Sequence, residues 1–233
     1  MKYVTEELGG PLAGAYLFGS VALDDYRPPR SDLDVAIVAT RRLGPTAGAR
    51  LAARLDHRQL PCPARGLELV VYAEESLVAG RVAFELNLNT GPGLHEWQTD
   101  PGSVPIHWFV LDVAIGRERG KTLVGPPPAD LFPPLPRERI LSAIRESLDW
   151  HIDHGGGEAD PADTVLNACR AWRFLDEGRW SSKSQAGAWA LARAGASGAV
   201  EEALARRGGA RAGPSAEAAR GFASQVRLLA DRL

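Results

Sequence analysis

The sequence predicts an α+β chain in two parts, a mixed sheet with helices followed by an α-helical bundle. Three observations carry this. The first half alternates short apolar runs with helical stretches. Six prolines crowd into the twelve residues 125–136, which neither a helix nor a central strand tolerates. Beyond them the chain reads almost wholly helical, so the expected domains are 1–134 and 135–233.

In chain order, residues 13–18, 33–38 and 67–72 are apolar runs bounded by turn residues and read as strands. Between the last two, residues 46–60 carry Leu51 and Leu55 among arginines, the pattern of an amphipathic helix. Residues 82–88 alternate and make a fourth strand. After the prolines, helices are expected over about 137–151, 164–177, 184–194, 200–206 and 215–233. Ile140, Ile144, Leu148 and Ile152 form one apolar stripe, and Ala218, Phe222, Val226, Leu229 and Leu233 another, as bundle helices require.

Composition narrows the function classes. With 233 residues, 45% hydrophobic and 24% charged, the chain has the make-up of a soluble globular protein. No run of eighteen apolar residues exists, so no membrane span is expected. Residues 1–8 carry charges and no apolar stretch, unlike a secretory signal. Two cysteines, Cys62 and Cys169, make neither a disulfide framework nor a cysteine-rich zinc site and point to a reducing cytoplasm. The net charge of -2 argues against nucleic acid as partner. A monomer is the expected state.

One constellation carries chemistry. Leu17-Phe18-Gly19-Ser20 ends the first strand, and Ser31-Asp32-Leu33-Asp34 opens the second. Residues two apart in an extended chain face the same side, so Asp32 and Asp34 present two carboxylates to one point. Magnesium favours such a site, taking few carboxylates and completing its shell with substrate phosphates. Gly19 lets backbone approach a phosphate, and the Ser20 hydroxyl can bond its oxygens. Glu68 lies inside the apolar strand Leu67–Val71, where a lone acid is costly unless it serves a metal or a proton. Glu85, on an alternating strand, is a rival base.

Further along, Trp150 points away from the apolar stripe of its helix, with Glu146, Asp149 and Asp153 around it. The window 146–163 holds six acids and no lysine or arginine. An indole ringed by acids suits a polycationic sugar, while the same window also reads as a solvated glycine loop. Trp172 and Trp189 share stripes with small apolar residues and read as core. The histidines, His151 and His154 included, lack metal-ligand spacing.

Gly-Ser followed by Asp-x-Asp resembles the polymerase-beta-like nucleotidyltransferase superfamily. More narrowly, L-F-G-S, S-D-L-D, L-E-L-V-V, H-E-W-Q (95–98), L-V-G-P (123–126), L-F-P-P-L-P (131–136) and V-L-N-A-C-R-A-W (165–172) resemble the bacterial streptomycin/spectinomycin 3''(9)-adenylyltransferases. That resemblance implies a polymerase-beta-like nucleotidyltransferase domain followed by a helical aminoglycoside-binding domain. It implies AMP transfer from ATP to a hydroxyl of a cationic aminoglycoside or aminocyclitol. Asp32 and Asp34 would hold Mg2+, Glu68 would be the general base, and Gly19 and Ser20 would cradle the phosphates. Lys183 stands where a helical-domain lysine of the family contacts ATP, though alone it also reads as a surface lysine. Trp97 matches an active-site aromatic, and Trp150 matches the family's streptomycin-contacting tryptophan. Asp153 or Asp160 would be the accompanying aspartate. The same chemistry on another small-molecule or protein acceptor is the alternative.

Overall fold

The computed structural model describes residues 2–28, 30–78, 81–155, 159–193 and 198–232. It divides into two units, Met1–Pro136 and Arg137–Leu233. In the first, the apolar runs form strands β1 (Leu12–Leu17), β2 (Leu33–Ala39) and β3 (Leu67–Ala73). They are joined by β4 (Phe84–Gly91), β5 (Leu94–Gln98) and β6 (Lys121–Val124) in one sheet of order β5-β4-β3-β2-β1-β6. Only β2 and β3 run parallel, so the sheet is mixed.

Alternation along the strands gives the sheet two unlike faces. Ala15, Ile37, Val71 and Leu86 align across four strands and look into an apolar layer. Two helices cover it: α1 (Lys2–Leu8) brings Val4 and Leu8, and α3 (Pro45–Leu55) brings Leu51, Ala52 and Leu55. The opposite face is aromatic at one end. There Phe132 meets the rings of Tyr16, Phe18 and Tyr72 at 5.3–5.9 Å between centroids. Short helices α2 (Gly19–Ala22), α4 (Glu74–Val78) and α6 (Pro128–Leu131) and the longer α5 (Ile106–Arg119) complete the unit.

Helix α3 stops at Leu55, five residues short of the extent expected from sequence. Asp56 ends it by folding back: its carboxylate accepts from the Arg58 N–H at 2.9 Å and the Arg58 guanidinium at 2.8 Å. Such a local side-chain turn competes with continued helix.

Among the described residues of the second unit the regular elements are helices: α7 (Arg137–His154), α8 (Pro161–Glu177), α9 (Lys183–Leu191), α10 (Gly198–Gly208) and α11 (Ala216–Ala230). Helix α8 is central, with the other four packed on it. Its ends are sharply coded: Asp160 caps the N-terminus, Pro161 occupies the first turn, and Gly178 closes it at φ +66°. A capping box of Ser182 and Gln185 opens α9. Expected ends at Ala194 and Leu233 lie outside the described residues. Small buried side chains, among them Ala168, Cys169, Ala186, Ala203 and Ala219, bring these helices together. Burial pushes the Cys169 thiol up to about 12. On α7 the buried stripe is Leu141, Ile144, Leu148 and His151, turned from the expected one, so Ile140 and Ile152 are half-buried. Among the described residues no helix is long and apolar enough to cross a membrane.

Candidate active site

The parallel register of β2 and β3 places Asp34 beside Glu68, because Leu33 pairs with Leu67 and Val35 with Leu69. Both acids therefore stand on the face opposite the apolar layer, while their neighbours Val35 and Leu69 pack into it. Glu68 reaches solvent, yet the protein around it still reduces its hydration. That lost hydration and then the charges of Asp34 and Asp32 hold its carboxyl well above the usual range. A hydrogen bond with Asp32 and the charge of Asp112, on α5, act in the same direction.

Gly19 is fixed by the same cluster. It has φ +52°, a left-handed conformation, and a Cβ on it would fall inside the Asp34 carboxylate. Its position is braced from both sides. The Phe18 N–H donates to Asp34 O at 2.9 Å, and the Phe18 ring lies where Gly116 of α5 has no side chain. The Ser20 hydroxyl is buried at the start of α2 and has no hydrogen-bond partner among the described residues. A buried hydroxyl of this kind costs about 1–3 kcal/mol unless something satisfies it.

Asp32 is engaged by Arg65 through both carboxylate oxygens. Among the described residues no three His, Cys, Asp or Glu side chains are already gathered as a metal cage. The donor set nevertheless suits a hard divalent ion that keeps waters and phosphate oxygens: two or three carboxylates and no nitrogen or sulfur ligand. Glu85 belongs elsewhere. It is buried, accepting from the Leu43 N–H and the Arg42 guanidinium, each at 3.1 Å, which is a structural role.

Sequence reasoning missed three neighbours. Arg65 precedes β3, Asp112 lies on α5, and Asn89 of β4 pairs in register with Glu68. Alternating Glu85, Asn87 and Asn89 was the available signal for the last. Trp97 is not brought to this face: it pairs with Leu88, which pairs with Leu69 of the apolar layer, and lies 46% exposed on edge strand β5. Its neighbours Glu96 and Gln98 share the side of Glu68 instead, being paired with Asn89 and Asn87.

In the second unit Trp150 is half-buried, with its ring stacked on His154 at 4.8 Å and 11° and steeply inclined, at 80°, to the His151 ring. The acids around it are less naked than the local sequence suggests. Asp149 pairs with Arg227 of α11 at 2.8 Å, and Glu146 accepts from Ser142 at 2.9 Å. Asp153 is exposed, and Glu158 lies outside the described residues. One Asp160 oxygen accepts from the Ala162 N–H at 2.8 Å, and the other is 3.8 Å from Arg206. Lys183 pairs with Asp163 at 2.7 Å. Asp163, Asn167 and Arg170 recur on one stripe of α8, where Asn167 meets His151 at 3.1 Å and Arg170 donates to Ser181 O at 3.1 Å. Trp172 packs against Trp189 and Phe222, but both indoles are only half-buried, and Trp189 donates to Glu177 and carries Arg193 over its ring, so the pair lies at the margin of the bundle and not in its core as expected.

A sheet of this order, with glycine-serine at the end of one strand and acids on the next two, is the architecture of a nucleotidyltransferase. Residues 2–74 match the nucleotidyltransferase domain, and residues 130–232 match the aminoglycoside adenylyltransferase C-terminal domain. An aminoglycoside (3'') (9) adenylyltransferase of Klebsiella pneumoniae is 26% identical over 202 residues, covering 82% of this chain and 75% of that one. A spectinomycin 9-adenylyltransferase of Staphylococcus aureus is 26% identical over 199 residues with the same coverage, 82% and 75%. The fold is shared with spectinomycin adenyltransferase AAD(9) from Enterococcus faecialis, solved with ATP and spectinomycin: TM-score 0.76, 18% identity, 99% of this chain and 96% of that one. The two matches follow one another along the chain, a nucleotidyltransferase domain and then the C-terminal domain of aminoglycoside adenylyltransferases, so the chain is a nucleotidyltransferase similar over most of its length to the aminoglycoside (3'') (9) and spectinomycin 9-adenylyltransferases.

Proposed function

We propose that this protein transfers AMP from ATP to a hydroxyl of spectinomycin or streptomycin, with Glu68 as the base. The observation that carries this is the in-register pair Asp34–Glu68 beside a glycine whose missing side chain makes room for Asp34. In the reaction the acceptor oxygen forms a bond to the α-phosphorus of ATP, and the bond to the pyrophosphate oxygen breaks. The acceptor proton passes to Glu68. Glu68 stands beside Asp34 on the adjoining strand, where its carboxylate can take that proton. Asp32 and Asp34 would hold magnesium, which supplies Lewis-acid neutralisation of charge on the phosphates. Gly19 and Ser20 would receive the phosphates; the orphaned Ser20 hydroxyl has a donor to give them.

For the second unit the reading is recognition of the cationic acceptor by Trp150, with Asp153 or Asp160, and of ATP by Lys183. Asp163 holds Lys183 in place in the meantime. A cytoplasmic location fits both ATP as co-substrate and the two free cysteines.

The test is incubation of the purified chain with ATP, magnesium and a panel of aminoglycosides, aminocyclitols and lincosamides, reading pyrophosphate and adduct mass. AMP adducts of spectinomycin or streptomycin are expected. Pyrophosphate release with neither drug, or an adduct on a different acceptor alone, would refute the assignment. Asp32→Asn and Asp34→Asn should each abolish the adduct.

A further inference from the structure

We propose that Arg65 is a resident counter-ion of the carboxylate site. It is a positioning residue that occupies Asp32 while no divalent cation is bound and surrenders it when magnesium arrives with ATP. The inference deepens the reading of Asp32 as a metal ligand and rests on it.

The placement of Arg65 is built into the strand register. Its N–H donates to Ser31 O at 3.2 Å, and the Leu33 N–H donates to Gly66 O at 2.9 Å, so Arg65 is held next to Asp32 where β2 and β3 begin. A Cβ on Gly66 would meet Thr90 O at 2.9 Å; the missing side chain lets this segment sit tightly against β4. From that base the guanidinium grips Asp32 at two points, Nε on Oδ1 and Nη2 on Oδ2. Both oxygens that could ligate a metal are taken at once.

The two partners differ in how freely they can leave. The Arg65 side chain is 60% exposed and Asp32 only 14%. A long exposed arginine can swing into water with little loss, whereas the carboxylate stays in the recess. The pairing also has an electrostatic reason. Asp32, Asp34 and Asp112 all bear on Glu68, and a carboxylate group of that density repels itself until a cation enters. Arg65 supplies one positive charge in the meantime. It makes binding of the bare metal competitive, which favours arrival of the ion together with the triphosphate.

The experiment is titration of the nucleotide-free chain with Mn2+, followed by electron paramagnetic resonance of the free ion. Arg65→Gln should bind Mn2+ about three- to fivefold more tightly than wild type, the loss of an exposed ion pair read as a ratio. Arg65→Lys, which cannot make the two-point fork, should fall between them. Arg58→Gln removes one positive charge from the Asp56 pair and should leave Mn2+ affinity unchanged. The counter-ion role is overturned if Arg65→Gln matches wild type, or if Arg58→Gln gains as much. If Asp32→Asn and Asp34→Asn also bind Mn2+ as wild type does, the failure lies with the metal site itself.

Discussion

Gly19→Ala tests the centre of the site with a single methyl group. Two costs separate at this position. Alanine at φ +52° carries the left-handed penalty, about 1–2 kcal/mol. Its Cβ would also fall inside the Asp34 carboxylate, so either Asp34 or the Gly19 backbone must move. Gly93 isolates the first cost: its φ is +76° in the β4–β5 turn, and a Cβ there meets nothing within 4 Å. Gly93→Ala should therefore lose about 1–2 kcal/mol, a fall in melting temperature of about 2–8 °C for a unit of this size, with turnover unchanged. Gly19→Ala should lose more than that. Turnover should fall by roughly a hundredfold, the scale expected when a reacting constellation is displaced by about 1 Å. The assays are thermal melting of both variants and pyrophosphate release with ATP, magnesium and spectinomycin. Turnover of Gly19→Ala within tenfold of wild type would refute the claim that Asp34 is held where the reaction needs it. Equal melting losses in the two variants would refute the clash.

Glu68→Gln should cut the transfer rate by about two to four orders of magnitude while ATP still binds by calorimetry. Glu85→Ala should do the reverse, keeping turnover and losing about 1–3 kcal/mol as the buried Leu43 N–H loses its acceptor. Trp150→Ala should weaken streptomycin about tenfold or more in calorimetric titration with a non-hydrolysable ATP analogue, and spectinomycin less, since the larger drug offers guanidinium groups to the ring; equal losses would remove Trp150 from the site. Hydrogen bonds from Trp189 and then Arg173 hold Glu177 below the usual carboxylate pKa. A lowered folded-state pKa gives stability that is present above the unfolded value and lost as pH falls through the folded one. The melting temperature should therefore drop below about pH 4.5 with a contribution from Glu177, and Glu177→Gln should flatten that part of the profile.

What the sequence disclosed depended on whether the signal was local. Residues 67–72 are legible as a strand because both faces of β3 are largely apolar and turn residues bound it. Asp32 and Asp34 stand out as acids two apart where a strand opens, and Glu68 as an acid that interrupts an apolar run. Helix α5 gave no such signal. His107, Phe109, Val110, Val113, Ala114 and Ile115 are buried around much of its circumference, so no single apolar stripe marks it. Strand β6 is four exposed residues ahead of a proline run and has no alternation to read. The acidity of 146–163 is partly offset in a way that charge counted along the chain does not show, because Arg227, Arg206 and Lys183 come to it from α11, α10 and α9. Trp97 was a motif match whose side of the sheet is decided by pairing with Leu88.

The same distinction explains why the site takes this form. A parallel pair forces Asp34 and Glu68 side by side, and that proximity is unfavourable until cations enter. The repulsion could be relieved by slipping β2 against β3, but a one-residue slip would turn the side chains β2 gives to the apolar layer, Val35 and Ile37 among them, out of it. Burying each such side chain contributes about 1.5–3 kcal/mol, and several move together, so the apolar register outweighs the acid repulsion. The carboxylates are thus held close by residues on the other face of the sheet. Weakening that face, for example with Ile37→Ala, should loosen the carboxylate pair without touching it: the substitution costs about 2–5 kcal/mol of stability, and the unit that remains folded has less to oppose the separation of Asp34 from Glu68.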